Sequence, residues 1–319
     1  MKLTVSDDEF ITTWKRLGSP EKVAQALKLT TRTVYTRRNA IEAKLGVILN
    51  TNDTTNRNRI KIEVPKQGFR AKLDGIKGCV MVASDGHFWP GERSTAFDAF
   101  IKLIPKLNPR AIVLNGDAFD GARISRHPPG AYATLPTVAE EIDAVKERLA
   151  EIESLAPEGC PLMWPAGNHD NRFGSRLAQH APEYLAVDGF DIADHFKSWQ
   201  FCWSLWINDH TIIKHRNANG VHAAYNNVLK GGKNIVTGHT HRLQATQFAD
   251  YNGLRWGVEC GTLSAFGPEN DKYSYAEDNA SNWSQGFAVL HFTESGMLME
   301  PEFCRVLNGN AYFRGERIA

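Results

Sequence analysis

Val80-Met81-Val82-Ala83-Ser84-Asp85-Gly86-His87 is a short apolar run that breaks into a polar loop containing glycine. Four apolar residues in a row, too few for a helix, predict a buried strand. The same shape recurs downstream. Ala111-Ile112-Val113-Leu114 leads into Asn115-Gly116-Asp117-Ala118-Phe119-Asp120, and Leu162-Met163-Trp164 leads into Gly167-Asn168-His169-Asp170. Thr211-Ile212-Ile213 leads into Lys214-His215, and Ile235-Val236 into Gly238-His239-Thr240-His241. Helical patterns separate the first runs, near Thr95–Leu107 and at about Val138–Leu155. Strands alternating with longer helices argue an α/β sandwich built on a mixed sheet. The C-terminal third looks strand-rich, with Leu254–Val258 and Phe287–Phe292 as candidates, and no internal repeat is present.

In open α/β sheets, sites gather beyond the carboxyl ends of strands, so five such loops would converge. Their Asp, Asn and His side chains are hard oxygen and borderline nitrogen donors, a mix that suits manganese, iron or zinc better than calcium. Asp85 and His87 are two residues apart, so on an extended segment they point the same way and can grip one ion. His239 and His241 share that spacing. The neighbouring glycines let the backbone turn sharply after each strand.

The order D-x-H, G-D-x-x-D, G-N-H-D, a lone His, then G-H-x-H, spread over residues 85–241, resembles the calcineurin-like metallophosphoesterase family. The resemblance implies a four-layer α/β (α+β) sandwich of mixed sheets flanked by helices. It implies two divalent metal ions, with manganese expected and iron, zinc or nickel as alternatives. Asp85, His87 and His241 would bind one ion, and Asn168, His215 and His239 the other, with Asp117 bridging. His169 would lie over the substrate without being a ligand, and Asp120 and Asp170 would support or orient their neighbours in catalysis. The implied chemistry is phosphate-ester hydrolysis by a hydroxide held between the ions. The family often has Gly straight after the lone His, whereas here it is Lys214-His215-Arg216, so His222 is a rival. His215 is preferred because it directly follows an apolar strand.

The N-terminal part has a different character. Residues 1–77 carry 16 Lys and Arg against 8 Asp and Glu, leaving 21 basic and 28 acidic residues in the rest of a chain whose net charge is only +1. A basic module joined to an acidic one suggests that the first part meets a polyanion. Ser6 with Glu9, Ser19-Pro20-Glu21 and Thr30-Thr31 mark three helix starts, and Gly18 and Gly46 mark two ends. The third helix, about Arg32 to Leu45, would turn Val34, Ile41 and Leu45 inward and present Arg32, Tyr35, Arg37 and Arg38 outward. This resembles a helix-turn-helix, with those four as DNA-contact candidates. The expected organisation is a DNA-binding domain over 1–50, a basic linker or edge segment over 51–77, and a catalytic domain over 78–319. Ile60–Val64 alternates as an edge strand or wing would.

The substrate is less legible. Arg123, Arg126 and His127 follow Asp120, and Arg172 follows Asp170, all placed to hold phosphates flanking a scissile one. Tyr273, Tyr275 and Trp283 lie in the polar stretch Ser264–Gln285, where they would pack down as an ordinary loop, stack bases or form a lid. These features favour a DNA nuclease. The alternatives are a phosphatase or cyclic-nucleotide phosphodiesterase acting on small or protein substrates, and, last, a non-catalytic DNA-binding regulator. Five scattered cysteines without a C-x-x-C pair argue against a disulfide framework and for a reducing cytosol. No run approaches membrane-span length and no secretory signal opens the chain. The arrangement resembles phage and prophage proteins, so the cytoplasm of a bacterium or an infected host is expected, with nucleic acid as partner and no membrane.

Overall fold

The computed structural model describes residues 5–46, 49, 61–63, 70–127, 134–185, 187–266 and 282–319, with backbone only at 61–63. Tyr273 and Tyr275 and most of the 51–69 stretch lie outside the described residues. The chain divides into two compact units, Met1–Arg59 and Ile60–Ala319.

The first unit holds three helices, α1 (Asp7–Leu17), α2 (Pro20–Leu27) and α3 (Thr31–Leu45). Each starts on a hydroxyl cap, Ser6, Ser19 or Thr30, whose side chain accepts a backbone N–H from the first turn. Gly18 and Gly46 end α1 and α3 in the left-handed conformation, and Lys28 ends α2 the same way. Phe10, Trp14, Val23, Ala24, Val34, Ile41 and Leu49 form its core. Two expectations need correcting. Leu45 is 48% exposed, and Leu49, beyond the turn at Gly46, takes the inward place at 2%. Arg37 and Arg38 do not face outward. Residues 34, 37, 38 and 41 form one i, i+3, i+4, i+7 stripe, which is the buried face of α3. Arg37 therefore reaches the Val5 carbonyl and Asp7 and lies 5.6 Å over the Phe10 ring. Arg38 pairs with Glu42 at 2.9 Å and lies 5.0 Å over Trp14. Arg32 and Tyr35 are exposed as expected.

The second unit runs β1 (Lys61–Glu63), β2 (Arg70–Asp74), β3 (Gly78–Ala83), α4 (Thr95–Leu107), β4 (Ala111–Leu114), α5 (Val138–Leu155), β5 (Leu162–Pro165) and α6 (Asn171–His180). It continues with β6 (Gln200–Cys202), β7 (Ser204–Ile207), β8 (Thr211–Ile213), α7 (Ala223–Gly231), β9 (Asn234–Thr237), β10 (Leu243–Asp250) and β11 (Gly253–Cys260). β12 (Gly286–Phe292), β13 (Glu302–Leu307), β14 (Asn310–Phe313) and β15 (Glu316–Arg317) close the chain. One mixed sheet has the order β1-β2-β7-β8-β9-β11-β10, and the other β15-β14-β13-β12-β3-β4-β5-β6. β1 is an edge strand, whereas β2 pairs in parallel with β7 inside its sheet, so Arg70–Asp74 belongs to the sandwich and not to a linker.

Alternation along the strands builds the layers. Val80 and Val82 of β3 and Ala111 and Val113 of β4 face the other sheet, where Leu73, Leu205, Ile213, Val236 and Val258 meet them. Met81, Ala83, Ile112 and Leu114 point the opposite way, onto Phe97 and Phe100 of α4 and Val145 and Leu149 of α5. α7 covers the far side of the first sheet over β9, β10 and β11. The order is helix, sheet, sheet, helix, the expected four-layer sandwich. β3, β4 and β5 are parallel neighbours in one sheet, and β8 and β9 are parallel neighbours in the other. Their carboxyl ends therefore open on one edge of this unit.

Candidate metal centre

The five loops beyond β3, β4, β5, β8 and β9 bring the motif residues together. Asp85, His87 and His241 offer donor atoms within 4.8 Å of one another, and so do Asp117, His215 and His239. The backbone is bent to do this. Eleven described non-glycine residues have positive φ, and five of them are Asp85, Asp117, His87, His239 and His241. Such conformations cost roughly 1–3 kcal/mol each and persist where the surroundings over-determine them. The loops also approach too closely for side chains at several points, two of them closer than the rest. A Cβ on Gly167 would stand 2.0 Å from Oδ1 of Asp117, and one on Gly238 would stand 1.8 Å from the Ser84 hydroxyl oxygen.

Supporting bonds aim the donors. His87 donates its Nδ1 proton to Oδ1 of Asp120 at 2.8 Å, and His215 donates its own to the Asn115 carbonyl at 2.7 Å. Each ring is thereby fixed with Nε2 toward the site, the orientation seen for metal-binding imidazoles. Asp85 accepts the His239 backbone N–H at 2.9 Å and a bond from the Ser84 hydroxyl, while its own carbonyl accepts from Thr262 at 2.7 Å. Nδ1 of His241 and Oδ1 of Asn168 are buried without a hydrogen-bond partner, and Nε2 of His215 meets only the Asp117 carboxylate, 3.0 Å away. Buried polar atoms are normally satisfied, so orphans of this kind beside two buried carboxylates fit a bound cation.

Charge supports the same fit. Burial alone would raise the Asp85 and Asp117 carboxyls, but the surrounding histidines, led by His241 for Asp85 and His215 for Asp117, hold both low. Burial opposes charge on His215, yet Asp117 and Asp85 outweigh it and push the imidazole up to about 10. His87, where burial prevails, is pushed down to about 4 and stays neutral, as a ligand must. Two buried carboxylates ringed by imidazoles are a site with negative charge to spare, and these residues fit two divalent cations.

His169 stands apart from the orphans. Its Nδ1 is engaged by Asp120, 2.8 Å from Oδ1 and 3.1 Å from the carbonyl, and its Nε2 lies 3.1 Å from Nη2 of Arg172. No lone pair of its ring is left over, although it too sits within 4.8 Å of donor atoms of His87 and Asp117. Asp170 touches no open position at all. It accepts N–H groups from Asp117, Phe119, Gly167 and the Trp164 indole at 2.7–3.1 Å, and it makes no side-chain cap for α6. Asp170 is thus a positioning residue. The rival His222 is exposed at the start of α7, away from the cluster, while His215 is 2% exposed within it.

Beside the centre, a cleft of about 470 Å³ begins at Asn168 and is lined by Arg126, His127, Arg172, Arg176 and Arg216. Arg123 does not line it. Its guanidinium is bound to the carbonyls of Leu135 and Pro136, closing its own loop. Trp283 packs on the ring of His241, with centroids 4.5 Å apart. Several functional residues were not singled out from sequence. Arg176 and Arg216 join the cleft. Glu141 accepts the N–H groups of Gly121 and Ala122, at 2.6 and 3.0 Å. Glu259, fully buried, accepts from Thr240 and Gln244 and steadies the His239–His241 turn. For Arg176 the signal was present, since it lies one helical turn beyond Arg172. For Glu141 and Glu259 no local spacing marks the role.

The chain is similar to several known proteins. The chain is 27% identical to the Gene 54 protein of Mycobacterium phage L5, over 72% of this chain and 94% of that protein. It is 25% identical to the Gene 54 protein of Mycobacterium phage D29, over the same shares. A solved structure of Vps29 from Entamoeba histolytica, complexed with zinc, aligns with a TM-score of 0.39 and 13% identity over 76% of this chain and 99% of that one. The calcineurin-like phosphoesterase family profile matches residues 80–243, more than half of the chain and the whole run of loops described above. With the motif residues assembled on one edge of a four-layer sandwich, the chain belongs to the calcineurin-like phosphoesterases, hydrolases acting on phosphate esters.

Proposed function

We propose that this chain is a metal-dependent phosphodiesterase that cuts nucleic acid, DNA in the first place, with manganese as the preferred ion. The observation that carries the substrate is the cleft at Asn168. Four arginines and a histidine line it with no carboxylate among the lining residues, and it opens directly onto a candidate metal ligand. A phosphomonoester needs one anion site, whereas a polynucleotide brings flanking phosphates that Arg126, Arg172, Arg176 and Arg216 suit. Arg32 and Tyr35, exposed on α3, support a recognition role for the first unit.

Asp85, His87 and His241 would hold one cation and Asn168, His215 and His239 the other, with Asp117 between them. When bound, such a pair supplies positive charge to the phosphate oxygens and an activated water. The protein supplies the rest. Burial opposes charge on the His169 ring, but its hydrogen bond to Asp120 and the charge of Asp117 win, so its pKa is raised. Its Nε2 now accepts from Arg172, which can only donate. When a substrate phosphate draws Arg172 away, Nε2 is freed to take up a proton from water, and that proton can then pass to the leaving oxygen, an effect of about 10²–10⁴ in rate.

The test is hydrolysis of labelled single- and double-stranded DNA with manganese, beside para-nitrophenyl phosphate and its bis-ester. DNA cleavage with preference for the bis-ester is expected. Intact DNA alongside fast hydrolysis of the monoester would overturn the proposal in favour of a phosphatase.

A further inference from the structure

On the outer face of the first sheet, α7 covers β9, β10 and β11 and leaves the part over β2, β7 and β8 open. Along β2, β7 and β8 the residues Ala71, Leu73, Leu205, Ile207 and Ile213 point into the core between the sheets. The alternate residues, Arg70, Ser204, Trp206 and Ile212, point the other way, and α7 packs only over β9, β10 and β11. The result is a cleft of about 480 Å³, with β2, β7 and β8 as its floor and the end of α7 as one wall. That is within the size range of about 300–1,000 Å³ of ligand sites.

Its chemistry is selective. Arg70, Lys214 and Lys230 line it, no carboxylate does, and none of the three has an ion pair among the described residues. The Arg70 guanidinium lies 4.2 Å over the half-buried Trp206 ring. A half-buried indole capped by a guanidinium is a stacking platform, and unpaired bases stack on both kinds of plane. Surrounding cations would take the phosphates.

The cleft is also coupled to the metal centre by sequence. Lys214, His215 and Arg216 leave β8 in succession. Lys214 lines this cleft, His215 enters the ligand cluster and Arg216 lines the cleft at Asn168. A strand held by Lys214 and Arg216 at once would pass the metal centre.

We infer that this second cleft binds an unpaired segment of the nucleic-acid strand being processed, with phosphates on Arg70, Lys214 and Lys230 and a base stacked on the Trp206–Arg70 pair. The inference rests on the nucleic-acid reading of the centre, and the two can fail separately. The experiment is fluorescence anisotropy of a labelled single-stranded DNA oligonucleotide with the full chain in excess chelator, so that nothing is cut. Wild type is compared with Lys230→Glu, Arg70→Glu and Trp206→Ala. Manganese-dependent hydrolysis of bis(para-nitrophenyl) phosphate reports whether the centre is intact.

Each variant should weaken oligonucleotide binding on the order of tenfold, and Lys230→Glu should also lower the salt dependence by about one counterion. Hydrolysis of the small ester should stay within about twofold of wild type, because the ester is too short to reach this cleft. Unchanged binding in both charge variants, with wild type still cutting DNA, overturns the cleft alone. Equal loss with a duplex overturns its assignment to an unpaired strand. Wild type that binds through the cleft but never cuts DNA with manganese leaves the cleft standing and overturns the nuclease. Wild type that binds no oligonucleotide overturns both.

Discussion

Oδ2 of Asp170 accepts the backbone N–H of Asp117 at 2.9 Å, so the carboxylate that ends one motif holds the turn of another. Three more N–H groups converge on the same side chain. Burial, and next the charge of Asp117, push its pKa up to about 6. Replacing Asp170 by Asn puts an NH₂ group among four donors. Leaving such buried donors unpaired costs about 1–3 kcal/mol each. Asp170→Asn is expected to lower stability by about 3 kcal/mol and to reduce bound metal, measured by denaturant unfolding and by metal content after dialysis. Full stability with lost activity would instead point to a chemical role.

Gly167 and Gly174 make a matched pair. At Gly167 a methyl group would meet Asp117 Oδ1 at 2.0 Å and its backbone nitrogen at 2.5 Å, while at Gly174, inside α6, it would meet nothing within 4 Å. Gly167→Ala should therefore push the Asp117 carboxylate aside, with overpacking costing about 1–3 kcal/mol and metal lost in proportion. Gly174→Ala should stabilise by about 0.4–1 kcal/mol, since α6 needs no glycine there. Thermal unfolding of the two variants, with and without manganese, checks the contrast.

Asp120 serves two rings with one oxygen, Oδ1, at 2.8 Å from Nδ1 of both His87 and His169. Removing it should loosen His87, a candidate ligand, and His169, the proposed proton donor, together. Asp120→Ala is expected to weaken metal binding about 10–100-fold and to leave activity low even at saturating manganese, because His169 remains unoriented. Titration of activity against manganese separates the two effects. Full rescue by metal would show that His169 does not depend on Asp120.

The strands and the candidate ligands were legible because their signals are local. Each strand is a short apolar run, and each ligand loop follows one directly, so Asp85, Asp117, Asn168, His215 and His241 could be placed by position along the chain. The inward Arg37 and Arg38 were misread as outward on their charge, although 34, 37, 38 and 41 share a helical stripe. Glu259 and Glu141 were not, because each acts on a loop distant in sequence and only the fold brings them there. Tyr273 and Tyr275 lie outside the described residues. Arg70 and Trp206 read as an ordinary basic residue and an ordinary aromatic until β2 and β7 set them side by side.

Asp250 and Arg255 brace the hairpin of β10 and β11, which begins two residues after His241. Their paired bonds measure 2.9 and 2.6 Å. The Arg255 guanidinium holds the Asp250 carboxyl down to about 2, from its ordinary 3.8. A depressed carboxyl stabilises the fold above its unfolded pKa, and that contribution fades as pH falls toward the folded one. The melting-temperature difference between wild type and Asp250→Asn should therefore be constant above about pH 5 and shrink between about pH 4 and 2. A difference that persists to pH 2 would mean that the carboxylate charge is not what Arg255 recognises.

Trp14 is fully buried in the first unit, with Arg38 stacked above it and Arg38 in turn paired to Glu42. Removing the indole leaves a large cavity in a small core, and Trp→Ala changes in cores cost about 3–5 kcal/mol. A three-helix unit of this size has little more than that in total. Trp14→Ala should unfold Met1–Arg59 while hydrolysis of a small diester by Ile60–Ala319 continues, since every candidate ligand lies in the second unit. Arg38→Ala should destabilise the first unit by about 1 kcal/mol through the lost stack, whereas Arg32→Ala, exposed and unpaired among the described residues, should leave stability alone and lower only DNA affinity. Circular dichroism, diester hydrolysis and oligonucleotide binding on the three variants keep these effects apart. Equal loss of affinity in Arg32→Ala and Arg38→Ala without any change in helicity would return Arg38 to the DNA-contact surface.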